Sequence, residues 1–183
     1  INIQTGDDNG FSNNLIKALD SVKEDYVVVW IDDLILTTPI KKEIFLSIID
    51  HTVMNDIKYV NIWNNYPNSY SNKSKAEIGP LPLNIKYRIG MGIGLWNKLF
   101  LKELLKSDES AWDFERNATS RVNQKDETKI FALKPDCHPF KVHNTLIKGK
   151  LNWFSKKRTG FHNPMNRPYI SLIEYTYILL YRM

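Results

Sequence analysis

The chain has 183 residues, of which 43% are hydrophobic, and a formal net charge of +5. This length suits one well-packed domain and is short for two. The single cysteine, Cys137, excludes an internal disulfide and disfavours a thiolate metal site. The mild basicity favours anionic ligands such as phosphates without indicating a nucleic-acid binder. We see no secretory signal and no apolar run of about 20 residues, so we expect a cytoplasmic protein without a transmembrane segment.

The first part of the chain alternates between predicted helices and strands. Apolar residues at helical spacing predict a helix over residues 12–23, and the run Tyr26 to Ile31 predicts a strand. Because this run has no polar alternation, it is typical of a central parallel strand that is covered on both faces. Thr38 and Pro39 predict the start of a second helix, and Ile57 to Trp63 predict a second strand.

The middle of the chain contains three glycines at alternate positions, in the run GMGIG over residues 90–94. Such glycines let the backbone approach either a ligand or another segment closely. Residues 64–77 are rich in Asn, Ser and Lys and predict a surface loop. The other predicted elements are a strand over 86–89, helices that begin after Asn97 and Ser110, and a strand over 128–133.

This alternation predicts an α/β protein with a mostly parallel sheet flanked by helices. We expect a single domain over residues 1–183, with a basic and aromatic C-terminal segment over residues 148–183. Basic residues in this segment flank Trp153 and Phe154. They predict a solvated surface, a cover for phosphates, or a platform that stacks a base.

Two adjacent carboxylates, Asp32 and Asp33, follow the predicted central strand, at the sheet edge where α/β proteins usually bind ligands. One interpretation is structural: Asp32 pairs with a buried cation and Asp33 caps the next turn. The other is a divalent cation, Mg²⁺ or Mn²⁺, that bridges the carboxylates to a substrate diphosphate. His138 or His143 would then place an imidazole near the metal.

Two further acids lie in the segment DESAWDFER, residues 108–116. Ser110 and Asp113 have the spacing of a capping box, which favours a structural role for Asp113 over a catalytic one. Glu115 falls in the second turn of the predicted helix. An apolar pocket there would raise the pKa of Glu115 toward that of a usable general base, and an exposed surface position is the equal alternative.

Three segments resemble glycosyltransferases of the GT-A fold, which move a sugar from a nucleotide diphosphate to an acceptor. They are NNLIKALDSVKEDYVVVWIDDLIL, GLWNKLFLKELLKSDESAWDFE and HNTLIKGKLNW, within residues 13–153. The second is the most specific. The resemblance is strongest to a bacterial group that acts in capsule and surface-polysaccharide synthesis, which implies a cytoplasmic enzyme, with peripheral association at the inner face of the membrane as a further expectation.

The resemblance implies roles for individual residues. Asp32 and Asp33 would hold Mg²⁺ or Mn²⁺ on the donor diphosphate, and Glu115 would be the base that deprotonates the acceptor, with Asp113 as the second candidate. By analogy, Gly92, Gly94 and Trp96 would border the donor sugar. Two further candidates come from the residues themselves: Lys150 of the basic segment for binding the donor, and His143 as a third metal ligand. The acids are adjacent here, whereas the family pattern is Asp-x-Asp. The family's nucleotide-binding portion would precede Ile1, so we expect the C-terminal portion of such a fold.

The sequence therefore predicts an inverting, metal-assisted glycosyltransferase whose partners are a nucleotide-sugar donor and a saccharide acceptor. The alternative is a non-catalytic module, derived from a truncated transferase, that binds a glycan or a protein partner. Nucleic-acid binding is the least favoured function, because the basic residues are not concentrated on a recognisable module.

Overall fold

The computed structural model describes residues 3–63, 78–134, 137–147, 150–152 and 168–171. The helices are α1 (Phe11–Asp20), α2 (Lys42–Met54), α3 (Lys98–Leu104) and α4 (Ala111–Gln124). The strands are β1 (Tyr26–Trp30), β2 (Leu34–Leu36), β3 (Tyr59–Asn61), β4 (Ile78–Pro80), β5 (Ile93–Asn97), β6 (Ile130–Leu133), β7 (Val142–Asn144), β8 (Leu146–Ile147) and β9 (Lys150–Leu151). The predicted loop over 64–77 and most of the C-terminal segment lie outside the described residues. No described helix is long and apolar enough to cross a membrane.

The chain divides into two compact units. The first comprises Ile1–Ile31 and Lys41–Pro139, and the second comprises Asp32–Ile40 and Phe140–Met183. This division is finer than the single domain predicted from the length. It places the acidic pair at the start of the second unit, directly after β1 of the first.

The first unit contains a mixed five-stranded sheet with the order β1-β5-β3-β6-β4. Three of its pairings are antiparallel and one, β3 with β6, is parallel. The α/β class with flanking helices is confirmed, but the prediction of a mostly parallel sheet is wrong. The apolar run that suggested a central parallel strand forms β1, which lies at the edge of the described sheet. Its Val27 and Val29 pack against the core, whereas Val28 is 40% exposed.

The main core of the first unit lies between one face of this sheet and the helices α1, α3 and α4. Its largest side chains include Tyr59 of β3, Trp96 of β5 and Phe114 of α4. The Trp96 ring lies 3.9 Å from that of Tyr59 and 6.3 Å from that of Phe114, measured between centroids. Residues of the opposite face of the sheet, such as Val60 and Leu95, are also buried.

Local signals placed the starts of α3 and α4 correctly. The Asn97 side chain accepts the Phe100 N–H at 3.0 Å, and the Ser110 hydroxyl accepts the Asp113 N–H at 3.2 Å. Both are helix N-caps of the expected kind. The start predicted at Thr38 and Pro39 is wrong, because α2 begins at Lys42.

The strand predicted over residues 86–89 is also wrong, since this segment forms turns. Arg88 within it is fully buried, and its guanidinium donates to the carbonyl oxygens of Leu81 at 3.3 Å and Glu127 at 2.5 Å. Burial lowers the pKa of Arg88. Residues 86–89 are thus held in place by the hydrogen bonds of the Arg88 side chain rather than by pairing in a β-sheet.

The second unit contains two small antiparallel ladders, β2 with β7 and β8 with β9. The carbonyl oxygen of Asp33 accepts both the N–H of Thr145 at 2.8 Å and its hydroxyl at 2.9 Å. Thr145 is 1% exposed, so these bonds hold the backbone of the acidic pair to the segment between β7 and β8.

Candidate functional site

The segment that leads into β5 presents its glycines to aromatic rings. A Cβ atom added at Gly94 would lie 2.6 Å from the Tyr59 ring and 2.7 Å from the Trp96 ring, and one at Gly92 would lie 2.8 Å from the Trp63 ring. Real Cβ atoms do not approach other atoms so closely. At these two positions the backbone therefore approaches another segment of the chain.

Trp96 is fully buried between these residues and Phe114. The structure gives Gly92, Gly94 and Trp96 a packing role. Their contact with a donor sugar stays a prediction.

Three polar side chains of α4 bind the segment before β5. They are spaced four residues apart and so share one face of the helix. The bonds run from the Met91 N–H to Glu115 Oε1 at 2.7 Å, from the Ile89 N–H to Thr119 Oγ1 at 3.1 Å, and from Arg88 Nη1 to Asn123 Oδ1 at 3.3 Å. The row fixes the position of residues 88–91 against the helix.

Glu115 is the partly buried acid at the start of this row. Burial raises its pKa, and the hydrogen bond from the Met91 N–H opposes that shift. The direction predicted for an apolar surrounding is thus confirmed. A carboxylate with a raised pKa binds a proton more readily than an exposed one, as a general base requires.

Two further polar side chains meet the same segment from β3. The Tyr59 hydroxyl donates to the carbonyl oxygen of Gly90 at 2.8 Å and accepts the Gly90 N–H at 3.2 Å. The Asn61 side-chain oxygen accepts the Trp63 N–H at 3.0 Å. Sequence reasoning missed Tyr59 and Asn61. The available signal was their spacing. Tyr59 and Asn61 are two residues apart in the buried run YVNIW, so their polar side chains share one face of the strand.

Asp113 acts as a cap residue. Its carboxylate accepts from the Ser110 hydroxyl and from Arg116, both at 2.6 Å. These bonds, that from Ser110 foremost, lower the pKa of Asp113. The predicted cap is confirmed, and its carboxylate takes up a proton less readily than Glu115. A role as second catalytic acid stays a prediction.

Asp33 is partly buried and Asp32 is exposed. Burial, and then the charge of Asp32, raise the pKa of Asp33. Its Oδ1 is buried without a hydrogen-bond partner among the described residues. Among the residues that the structure describes, Asp32 forms no ion pair. The predicted pairing of Asp32 with a buried cation is therefore not found there.

The predicted metal ligands do not assemble into a recognisable centre. His143 lies in β7 opposite Ile35 of β2, and Lys150 begins β9. Within the ranges that the structure describes, no three His, Cys, Asp or Glu side chains come together as metal ligands. Asp32, Asp33 and His143 therefore do not fit a three-ligand site here, and Mg²⁺ or Mn²⁺ stays a prediction.

The predicted residues are divided between the two units. The first unit holds Gly92, Gly94, Trp96, Asp113 and Glu115, and the second holds Asp32, Asp33, His143 and Lys150. Within the first unit, the N–H of Ile31 donates to the carbonyl oxygen of Gly92 at 3.2 Å. Ile31, at the end of this part of the first unit, is thereby bonded to the glycine segment that Glu115 holds.

Comparison with known proteins shows no relationship: no protein-family model, no curated protein and no solved structure matches this chain.

Proposed function

We propose that the chain is part of a glycosyltransferase that moves a sugar from a nucleotide-diphosphate donor to a saccharide acceptor in surface-polysaccharide synthesis. The observation that carries this proposal is the carboxyl of Glu115, which is partly buried, has a raised pKa and is oriented by the Met91 N–H at 2.7 Å. Glu115 also ends the segment that most specifically resembles these enzymes.

In the proposed reaction Glu115 acts as general base. Its carboxylate takes the proton of an acceptor hydroxyl, and the acceptor oxygen forms a bond to the anomeric carbon of the donor sugar. The bond between that carbon and the diphosphate oxygen breaks, and the nucleoside diphosphate leaves with the electron pair. A single displacement of this kind inverts the configuration at the anomeric carbon.

Asp32 and Asp33 are proposed to bind the donor. An exposed carboxylate beside a partly buried one suits either hydroxyl groups of the ribose or sugar, or Mg²⁺ or Mn²⁺ on the diphosphate. A metal ion would supply neutralisation of the charge that develops on the leaving group.

Calorimetric titration with UDP-, GDP-, dTDP- and CMP-sugars, with and without Mn²⁺, tests donor binding. We expect heat with at least one donor, and its loss in Asp32→Asn and Asp33→Asn. A requirement for Mn²⁺ identifies a metal-assisted donor site. Absence of heat with every donor contradicts donor binding by this chain.

A second experiment tests the base. Glu115→Gln is expected to keep donor binding and to lose transfer, because an amide can accept the Met91 N–H but cannot take a proton at neutral pH. Glu103→Gln, at an exposed position on α3, is the matched control and should transfer sugar normally. Normal transfer by Glu115→Gln excludes Glu115 as the base.

The second candidate function is a non-catalytic module that binds a glycan or a protein partner. The row formed by Glu115, Thr119 and Asn123 favours it, because a structural role alone explains a carboxylate that accepts a backbone N–H. Binding of a glycan without donor binding, unaffected by Glu115→Gln, would identify this module.

A further inference from the structure

We propose that Trp112 is the stacking surface for a sugar ring of the saccharide acceptor. The sugar ring lies against the exposed indole and presents one hydroxyl group to the Glu115 carboxyl. This inference rests on the proposed function and deepens it, because it names the side chain that holds the acceptor while Glu115 takes its proton.

Trp112 is a strongly exposed aromatic side chain. It is the second residue of α4 and is 68% exposed, although tryptophan is highly buried on average. By comparison, Trp30 and Trp63 are partly buried and Trp96 is fully buried. The exposure of a large apolar ring to water is unfavourable, and contact with the apolar face of a ligand would remove that ring from water.

Trp112 lies on the face of α4 that carries Glu115. It comes three residues before Glu115, and side chains three residues apart on a helix are neighbours whose Cβ atoms are about 5–6 Å apart. Because helical side chains are tilted toward the N-terminus of the helix, the Glu115 side chain extends over the turn that contains Trp112. The indole and the carboxyl are therefore close enough to contact the same sugar ring.

The segment before β5 covers this face of α4 only as far as Glu115. The three hydrogen bonds described above join residues 88–91 to the helix from Glu115 toward its C-terminus. Met91 is bonded to Glu115, and the chain then enters β5 at Ile93. Trp112 lies on the other side of Glu115, toward the N-terminus of the helix, so the segment leaves the indole exposed beside the carboxyl.

The polar groups beside the indole suit a saccharide. Arg116 follows Trp112 by four residues and is its neighbour on the helix surface, with an exposed side chain. One guanidinium N–H of Arg116 binds Asp113 at 2.6 Å, and the remaining donors can bind sugar hydroxyl groups. The Glu115 carboxylate accepts hydrogen bonds from hydroxyl groups. An apolar surface with a few donors and acceptors at its border matches a sugar ring, which has an apolar C–H face and a polar edge.

A nucleotide fits the same surface less well. Its base would stack on an indole as a sugar ring does. Its phosphates would then lie close to the Glu115 carboxyl, and the negative charge of the ionised carboxylate would repel them. A neutral sugar ring does not meet this repulsion. The surface formed by Trp112, Glu115 and Arg116 therefore favours the saccharide acceptor over a nucleic acid or the anionic donor.

Titration of the full chain with saccharides, without a donor, tests binding at this surface. The probes are lactose, cellobiose and chitobiose and the methyl glycosides of their sugars. We expect at least one of them to shift the tryptophan emission to shorter wavelength, because a stacked sugar removes the indole from water, and we expect no shift in Trp112→Phe. In calorimetry Trp112→Ala should weaken binding about tenfold, whereas Trp112→Phe should keep most of it, because phenylalanine retains an aromatic face.

The saccharide that binds then serves as acceptor in transfer. Trp112→Ala should raise the KM for this acceptor about tenfold and leave kcat and donor binding nearly unchanged, because the indole contacts the acceptor equally before and during the reaction. Trp112→Phe should restore most of the affinity. Leu99→Ala is the matched control, since Leu99 is the second residue of α3 and is 65% exposed, and it should alter neither constant. Circular dichroism checks that each variant is folded.

The outcomes separate this inference from the proposed function. Saccharide binding that Trp112→Ala weakens, in a protein that binds no nucleotide sugar, would support the Trp112 surface and contradict the transferase. Transfer with an unchanged acceptor KM in Trp112→Ala would overturn the Trp112 surface and leave the transferase standing. Absence of binding with every saccharide would also overturn it. Self-association of the chain that Trp112→Ala abolishes would do the same, because the indole would then be a protein contact.

Discussion

The three alternate glycines before and within β5 allow a graded test of the packing described above. Substitution of Gly94 by alanine adds a methyl group 2.6 Å from the Tyr59 ring and 2.7 Å from the Trp96 ring. Both rings are fully buried, and their centroids are only 3.9 Å apart. Because buried rings are closely packed, we expect the backbone of β5 or the stacked pair to shift.

The expected loss of stability depends on how far the side chains that contact each added Cβ can move. Overpacking of a well-packed core costs about 1–3 kcal/mol, and we place Gly94→Ala at the upper end of that range. Gly92→Ala should cost about 1 kcal/mol, because the Trp63 ring at 2.8 Å is only partly buried and can move. Gly90→Ala should change stability by less than about 1 kcal/mol. Its added Cβ would lie 3.1 Å from Asn61 Nδ2, and the cost of this tight contact is offset because alanine lowers the conformational entropy of the unfolded chain.

Urea denaturation at pH 7, followed by tryptophan fluorescence and by circular dichroism, measures these free energies of unfolding. The expected order of destabilisation is Gly94→Ala, then Gly92→Ala, then Gly90→Ala. Equal stability of Gly94→Ala and the unsubstituted protein would refute the inferred packing of Tyr59 and Trp96 over this strand. A Gly90→Ala variant that is the least stable of the three would refute this ranking of the contacts, in which the added Cβ at Gly90 meets Asn61 Nδ2 at 3.1 Å rather than a ring at less than 3.0 Å.

Three further predictions concern single side chains. Asn97→Ala removes the cap that accepts the Phe100 N–H and should cost about 1 kcal/mol in urea denaturation, whereas Asn97→Asp should restore most of it; no loss in Asn97→Ala would contradict the cap. The Arg121 guanidinium lowers the pKa of Glu109, so their pair stabilises the fold above the ordinary glutamate pKa and ceases to do so as pH falls through the lowered value. Glu109→Gln should therefore cost about 1–2 kcal/mol at pH 7 and less at pH 2.5, and a loss that is the same at both pH values would contradict this linkage. Burial raises the pKa of Asp33, so its ionisation disfavours the fold as pH rises through the raised value. Asp33→Asn should then be more stable than the unsubstituted protein at pH 7 by up to about 1 kcal/mol and equal to it at pH 3; lower stability at pH 7 would show that the carboxylate has a partner.

Glu115 has a structural role in addition to its proposed catalytic role. Because its carboxylate holds the Met91 N–H, its removal by Glu115→Ala would leave a buried donor without an acceptor, at a cost of about 1–3 kcal/mol. Loss of transfer in that variant therefore does not separate catalysis from folding. The Glu115→Gln variant does, because the amide oxygen can replace the carboxylate as acceptor.

The sequence by itself determined those features that depend on near neighbours in the chain. The caps at Asn97 and Ser110 form within one helical turn, and the helix over residues 12–23 and the strands at 26–31 and 128–133 follow from local periodicity. The sequence left open whether Glu115 is exposed or lies in an apolar pocket, and burial in the fold decided the raised pKa.

Only the tertiary structure decided the direction and order of the strands. The apolar run of β1 indicates burial whether its neighbour is parallel or antiparallel, and it was the insertion of β5 between β1 and β3 that made the sheet mostly antiparallel. The Tyr59 ring over Gly94, the Trp63 ring over Gly92 and the backbone N–H that Glu115 accepts belong to residues more than 20 positions away. Such partners depend on how the chain folds back on itself, which no local pattern encodes.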